Sequence, residues 1–191
     1  LVVVPVESCP DEQPSEKMLK FTPEPIGFND DDLEGMIQPH DNALVVITQI
    51  NGFIVKRLLV DHGCGTKVIY PDLFRGLGLK NEDLSKYDTP LVGFDGQMVI
   101  SEGQIFLPIN MEGKEVMMTF IVVNSFSPYM AILRRPWIHA MGAVPSTLHV
   151  KVKFRTKHGI AIVKGNQQVA RQCLVATVNQ EIKQKESAEK V

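Results

Sequence analysis

Residues 53–65 read Phe53-Ile54-Val55-Lys56-Arg57-Leu58-Leu59-Val60-Asp61-His62-Gly63-Cys64-Gly65. An apolar, β-branched run ends on a carboxylate and passes into small residues, so a strand is expected to deliver Asp61 to a tight loop. Just upstream, Leu44–Ile50 and Phe53–Val60 flank Asn51-Gly52, a dipeptide suited to the positive φ angles of a two-residue hairpin turn. Downstream, Val68-Ile69-Tyr70 leads into Pro71-Asp72-Leu73-Phe74. Proline near a helix start suits its fixed φ, and this short helix should end near Gly76 or Gly78.

The same texture continues along the chain. Leu91-Val92-Gly93-Phe94 and Gln97-Met98-Val99-Ile100 flank Asp95-Gly96, a second hairpin signal, and Gln104–Ile109 with Lys114–Val123 surround Glu112-Gly113, a third. Ala131-Ile132-Leu133 is a brief apolar run before a helix expected over 136–141 and stopped by Gly142. Val150, Val152 and Phe154 alternate with Lys151, Lys153 and Arg155, the period-2 pattern of a half-buried strand. Ile160–Val163 then returns after His158-Gly159. Many short strands, frequent hairpins and one or two short helices predict an all-β, barrel-like domain over 41–178, with no internal repeat.

The flanks read differently. Residues 1–40 carry a local charge of −7 and six of the twelve prolines, whereas the remainder carries +5. Such an acidic, Pro-rich stretch buries too little surface to offset its ordering entropy, so 1–40 is expected to be a linker or arm, with Asp30-Asp31-Asp32 solvated. Residues 179–191 are mostly polar and read as a frayed helix or tail. Cys9, Cys64 and Cys173 stand apart, without the spacing of a disulfide framework, which favours a reducing intracellular setting. No apolar run approaches the roughly 18–20 residues of a membrane span. A chain that opens on Leu1 reads as a piece of a longer one.

Apolar-Asp-x-Gly is the layout of one half of an aspartic protease site. Two carboxylates about 3 Å apart share a proton, one activating water while the other polarises the scissile carbonyl. This pattern occurs here once, at Asp61. A dyad built from it needs a second copy, so a homodimer with a half-site per chain is expected. Competing chemistry is poorly supported. His62 and Cys64 lack the further paired ligands of a zinc site, because His139, His149, His158 and Cys173 stand singly. No metal and no cofactor are therefore expected. Residues 151–178 hold six Lys/Arg and no acid. Their alternation suits a solvated strand face better than a phosphate track, and only Phe154 interleaves, so nucleic acid is not the expected partner.

Taken together, the stretches resemble the retropepsin-like protease region of plant gypsy-type retrotransposon polyproteins over about residues 40–178. The resemblance is carried by Ala43-Leu44-Val45-Val46, Val60-Asp61-His62-Gly63, Tyr70-Pro71-Asp72-Leu73, Pro90-Leu91-Val92-Gly93-Phe94, Phe120-Ile121-Val122-Val123, Tyr129-Met130-Ala131-Ile132-Leu133 and Arg135-Pro136-Trp137-Ile138-His139. Ser146-Thr147-Leu148-His149, Lys151-Val152-Lys153-Phe154 and Ala170-Arg171-Gln172-Cys173 complete it. It implies a closed β-barrel dimer, Asp61 as catalytic residue, and Gly93, Phe94, Asp95 and Gly96 as the tip of a flap over an extended peptide or polyprotein substrate. Three positions, in two segments, depart from the family. His62 stands where a Thr or Ser braces the two loops, with Cys64 where Ser or Ala is usual. In the segment beneath the catalytic loop, Ile132-Leu133-Arg134, Arg134 replaces a glycine, setting a long cation where close packing is expected. An active endopeptidase and a decayed dimerisation or peptide-binding module of the same fold both remain open.

Overall fold

A computed structural model of the chain describes residues 24–63, 66–92 and 98–188. Six strands close into a barrel in the order β1-β2-β8-β3-β7-β6: β1 (Val45–Ile50), β2 (Phe53–Val60), β3 (Val68–Ile69), β6 (Ser101–Met111), β7 (Lys114–Val123) and β8 (Ala131–Leu133). Between them lies a small antiparallel pair, β4 (Leu91–Val92) with β5 (Met98–Val99). A three-stranded sheet follows, β11-β10-β9, from β9 (Val144–Ser146), β10 (Lys151–Thr156) and β11 (Gly159–Lys164).

Local chemistry explains most of these elements. Asn51 and Gly52 both take positive φ, 51° and 79°, as the tight β1–β2 turn demands, and Glu112 and Gly113 repeat this at 49° and 75° between β6 and β7. Along β6, Gly103, Ile105, Leu107, Ile109 and Met111 face inward at every second residue. Helices α1 (Pro71–Gly76) and α2 (Arg135–Met141) each carry Pro in the first turn, and Gly142 caps α2 at φ 56°. Trp137, Phe120 and Phe154 are the bulkiest fully buried side chains of the core.

Two expectations are corrected. A third helix, α3 (Gln167–Ala188), spans 22 residues and begins at residue 167, ahead of the stretch from 179 read as a frayed helix or tail. The Asn166 side-chain oxygen accepts from the Val169 amide at 3.0 Å and starts this helix, while Ala170 and Cys173 anchor it on the barrel. The second correction concerns charge. Asp32 and Lys151 are not solvated but buried, at 7% exposure each. Lys153 Nζ meets Asp32 Oδ2 at 2.7 Å and Lys151 Nζ meets Oδ1 at 3.3 Å. Lys153 also sits 4.6 Å from the centre of the Phe28 ring, which stacks on His149 at 4.9 Å. An isolated buried charge is expensive, and pairing one carboxylate with two ammonium groups is what makes this clasp tolerable.

The clasp predicts acid lability. The hydrogen bond from Lys153 is the largest cause holding the Asp32 carboxyl at about 2, below its ordinary 3.8, with the Asn29 amide and Lys151 adding to it against the opposing effect of burial. A lowered folded value contributes stability that is complete above about pH 4 and lost as pH falls toward 2. In urea titrations, Asp32→Asn should lower the unfolding midpoint at pH 7 and flatten its decline between pH 4 and 2. A variant with the wild-type acid decline would contradict this role for Asp32.

Candidate active site

Asp61 directly follows β2, and its position is fixed by two neighbours. The Val60 amide donates to Leu44 O and the Asp61 amide to Leu133 O, both at 2.9 Å. β2 and β8 run parallel in the register Leu58↔Ala131, Leu59↔Ile132 and Val60↔Leu133. Asp61 and Arg134 come next on their respective strands, and cross-strand partners in register are side-chain neighbours.

The carboxylate has two distinct contacts. Its Oδ1 accepts the Gly63 amide at 2.8 Å, closing an Asx-type turn. A Cβ at residue 63 would stand 3.0 Å from that oxygen, so the glycine leaves the room the turn requires. Oδ2 faces Arg134 Nε at 3.5 Å, with side-chain exposures of 36% for Asp61 and 17% for Arg134. The sequence reading sets a long cation beneath the Asp61 loop; its ion pair with Asp61 lies outside that reading. The available signal was the matching apolar triplets 58–60 and 131–133, each followed by a charged residue.

The remaining expected site residues fall as follows. Leu133 is fully buried and Ile132 nearly so, both on β8 beneath Asp61, and Arg134 caps the N-terminus of α2. His62 is exposed. Cys64 and the expected flap tip, Gly93, Phe94, Asp95 and Gly96, lie outside the described residues. The hairpin stem itself is formed by Leu91↔Val99 and Val92↔Met98, and Leu91 and Val99 pack on Val68, Ile121 and Val123. Among the described residues, no three His, Cys, Asp or Glu side chains converge as a metal site, and no helix is long and apolar enough to cross a membrane.

One chain thus presents a single oriented carboxylate, a backbone donor and a guanidinium. That set can bind and polarise, but the two-carboxylate chemistry of an acid/base dyad needs another carboxylate.

Solved structures are similar to this one to differing degrees. The retroviral protease-like domain of Ddi1 from Leishmania major matches with a TM-score of 0.52 and 17% identity, over 66% of this chain and 96% of that domain. The protease of EIAV, in complex with an inhibitor, matches at 0.46 with 21% identity over 58% of this chain and 97% of its own. A retropepsin-like aspartic protease from Rickettsia conorii matches at 0.42 with 14% identity, over 62% and 80%. The first of these carries the comparison, and at that identity it is a likeness of fold: the barrel is retropepsin-like. No protein-family model and no curated protein matches the chain.

Proposed function

We propose that this chain is the subunit of a homodimeric aspartic-type endopeptidase, in which Asp61 of each copy supplies half of the catalytic dyad. The observation that carries the reading is the Asp61 carboxylate at the end of barrel strand β2, oriented by the Gly63 amide at 2.8 Å, in a retropepsin-like fold. In the dimer the two Asp61 side chains share one proton. The ionised one removes a proton from water, whose oxygen attacks the scissile carbonyl carbon, while the other donates its proton to the carbonyl oxygen. Collapse of that intermediate breaks the C–N bond as the amine takes up a proton.

The family resemblance assigns residues 93–96 to a flap, and the substrate in this reading is an extended peptide whose backbone pairs with the site by strand addition. The family resemblance makes the substrate a polyprotein of retrotransposon type. The Arg134–Asp61 ion pair favours a second reading, a decayed module that dimerises and holds peptide without cleaving it.

Mixing inactive chain with active chain tests this reading. A fixed amount of wild-type protein is titrated with Asp61→Asn protein while hydrolysis of a quenched-fluorescent peptide library is followed. Random pairing at equal amounts should leave about half of the starting activity, because wild-type chains are drawn into mixed dimers. Activity indifferent to added variant means that each chain works alone, against the proposal. Dimers that cleave no peptide in any mixture establish the second reading.

A further inference from the structure

We infer that Arg134 is an autoinhibitory counter-ion, which engages Asp61 inside its own chain and must let go for the two-copy site to assemble. The inference rests on the endopeptidase reading and adds a regulation to it.

The geometry assigns the two oxygens of Asp61 separate partners. Oδ1 accepts the Gly63 amide at 2.8 Å and keeps a lone pair for a further contact. Arg134 Nε stands 3.5 Å from that Oδ2. The contact follows from the architecture. Parallel register runs through Val60↔Leu133, so residues 61 and 134 leave neighbouring strands side by side. The Asp61 amide is tied to Leu133 O, and Arg134 O accepts the Trp137 amide at 2.9 Å as α2 begins. Both backbones are held, and only side-chain rotation separates the charges.

Arg134 is also the more enclosed partner, 17% exposed against 36% for Asp61, and burial by a second chain would strengthen the attraction by excluding water. His62, on the same loop, is exposed. A second copy would bring another Asp61 and another Arg134, giving four alternating charges in place of two carboxylates around one proton. In that arrangement each carboxylate answers a guanidinium, and the acid/base pair is not formed. Rotation of Arg134 out of the site, driven by a bound peptide that offers it another acceptor, frees the Asp61 carboxylate to share a proton with its counterpart.

Two readouts test this on the full chain. In the first, kcat and KM are measured for wild type, Arg134→Gln, Arg134→Gly and Arg134→Lys, with melting temperature and dimer mass as folding controls. Removing the charge should raise kcat at least about tenfold with KM within about threefold, and Lys should restore part of the block. In the second, independent of turnover, a small water-soluble epoxide is used to label carboxylates. An Asp61 oxygen attacks an epoxide carbon, the ring C–O bond breaks, and the alkoxide takes a proton from water, leaving a hydroxy ester read by peptide mass mapping. Labelling of Asp61 should be about tenfold faster in the Gln and Gly variants, because Oδ2 is no longer engaged. Faster labelling without cleavage by any variant upholds the Arg134 contact and sinks the endopeptidase reading. Cleavage by wild type that the folded Gln and Gly variants do not exceed sinks the inference and leaves the endopeptidase in place. Labelling that is unchanged in both variants overturns the inference whatever the turnover.

Discussion

Replacing Asp61 by Asn is expected to lower peptide hydrolysis by roughly 10⁴-fold in kcat while leaving the fold and the dimer in place. The amide keeps the oxygen that accepts from Gly63, so the turn survives. It cannot take a proton from water, and it ends the sharing of one proton between two carboxylates. The ion pair with Arg134 is also lost, but at 36% exposure of the carboxylate such a pair contributes only about 0–1 kcal/mol, so the melting temperature should move little. Near-normal activity in the folded variant would remove Asp61 from the chemistry. Lost activity together with unfolding would leave the question to Asp61→Glu, which keeps the charge and displaces it.

The second large effect concerns stability. Trp137→Ala should cost about 3–5 kcal/mol, a large share of the roughly 5–15 kcal/mol by which a domain of this kind is stable. Trp137 is fully buried at the start of α2, in the core cluster that also holds Phe120 and Leu133. Truncation leaves a void beneath the very segment that presents Arg134 to Asp61. Trp137→Phe should cost much less, because the indole Nε1 has no hydrogen-bond partner among the described residues and its removal deletes a buried donor. Urea unfolding followed by far-UV circular dichroism measures both, since Trp137 is the single tryptophan and its fluorescence disappears with it. Equal losses for Ala and Phe would mean that the indole N–H, not the volume, matters at this position.

Much of the fold was legible because it is locally encoded. The hairpin at Asn51-Gly52, the turn at Glu112-Gly113, the proline-led starts of α1 and α2, and the Gly142 cap depend on neighbouring residues alone. The alternation along β6 is likewise local. What escaped reading depends on distant partners. Asp32 sits in an acidic run that looks solvated until Lys151 and Lys153 reach it from β10. α3 escaped because Leu174, Val175 and Val178 stay exposed and mark no apolar stripe, while the Asn166 cap and the breaker-free run after it decide for helix. The candidate site divides the same way. Asp61 and Gly63 are two residues apart and announce a carboxylate-bearing turn. Arg134 joins them only through the parallel register of β2 on β8, which no local pattern specifies.

Hydrolysis by this chain requires two copies to bring their loop aspartates together. The most direct measurement is a crystal structure of the chain with a peptide whose scissile bond is replaced by a hydroxyl-bearing isostere. One peptide should be bound per two chains, its hydroxyl between Asp61 carboxylates about 3 Å apart. A single chain holding the peptide alone, or a dimer in which the two Asp61 side chains face away from each other, would contradict it.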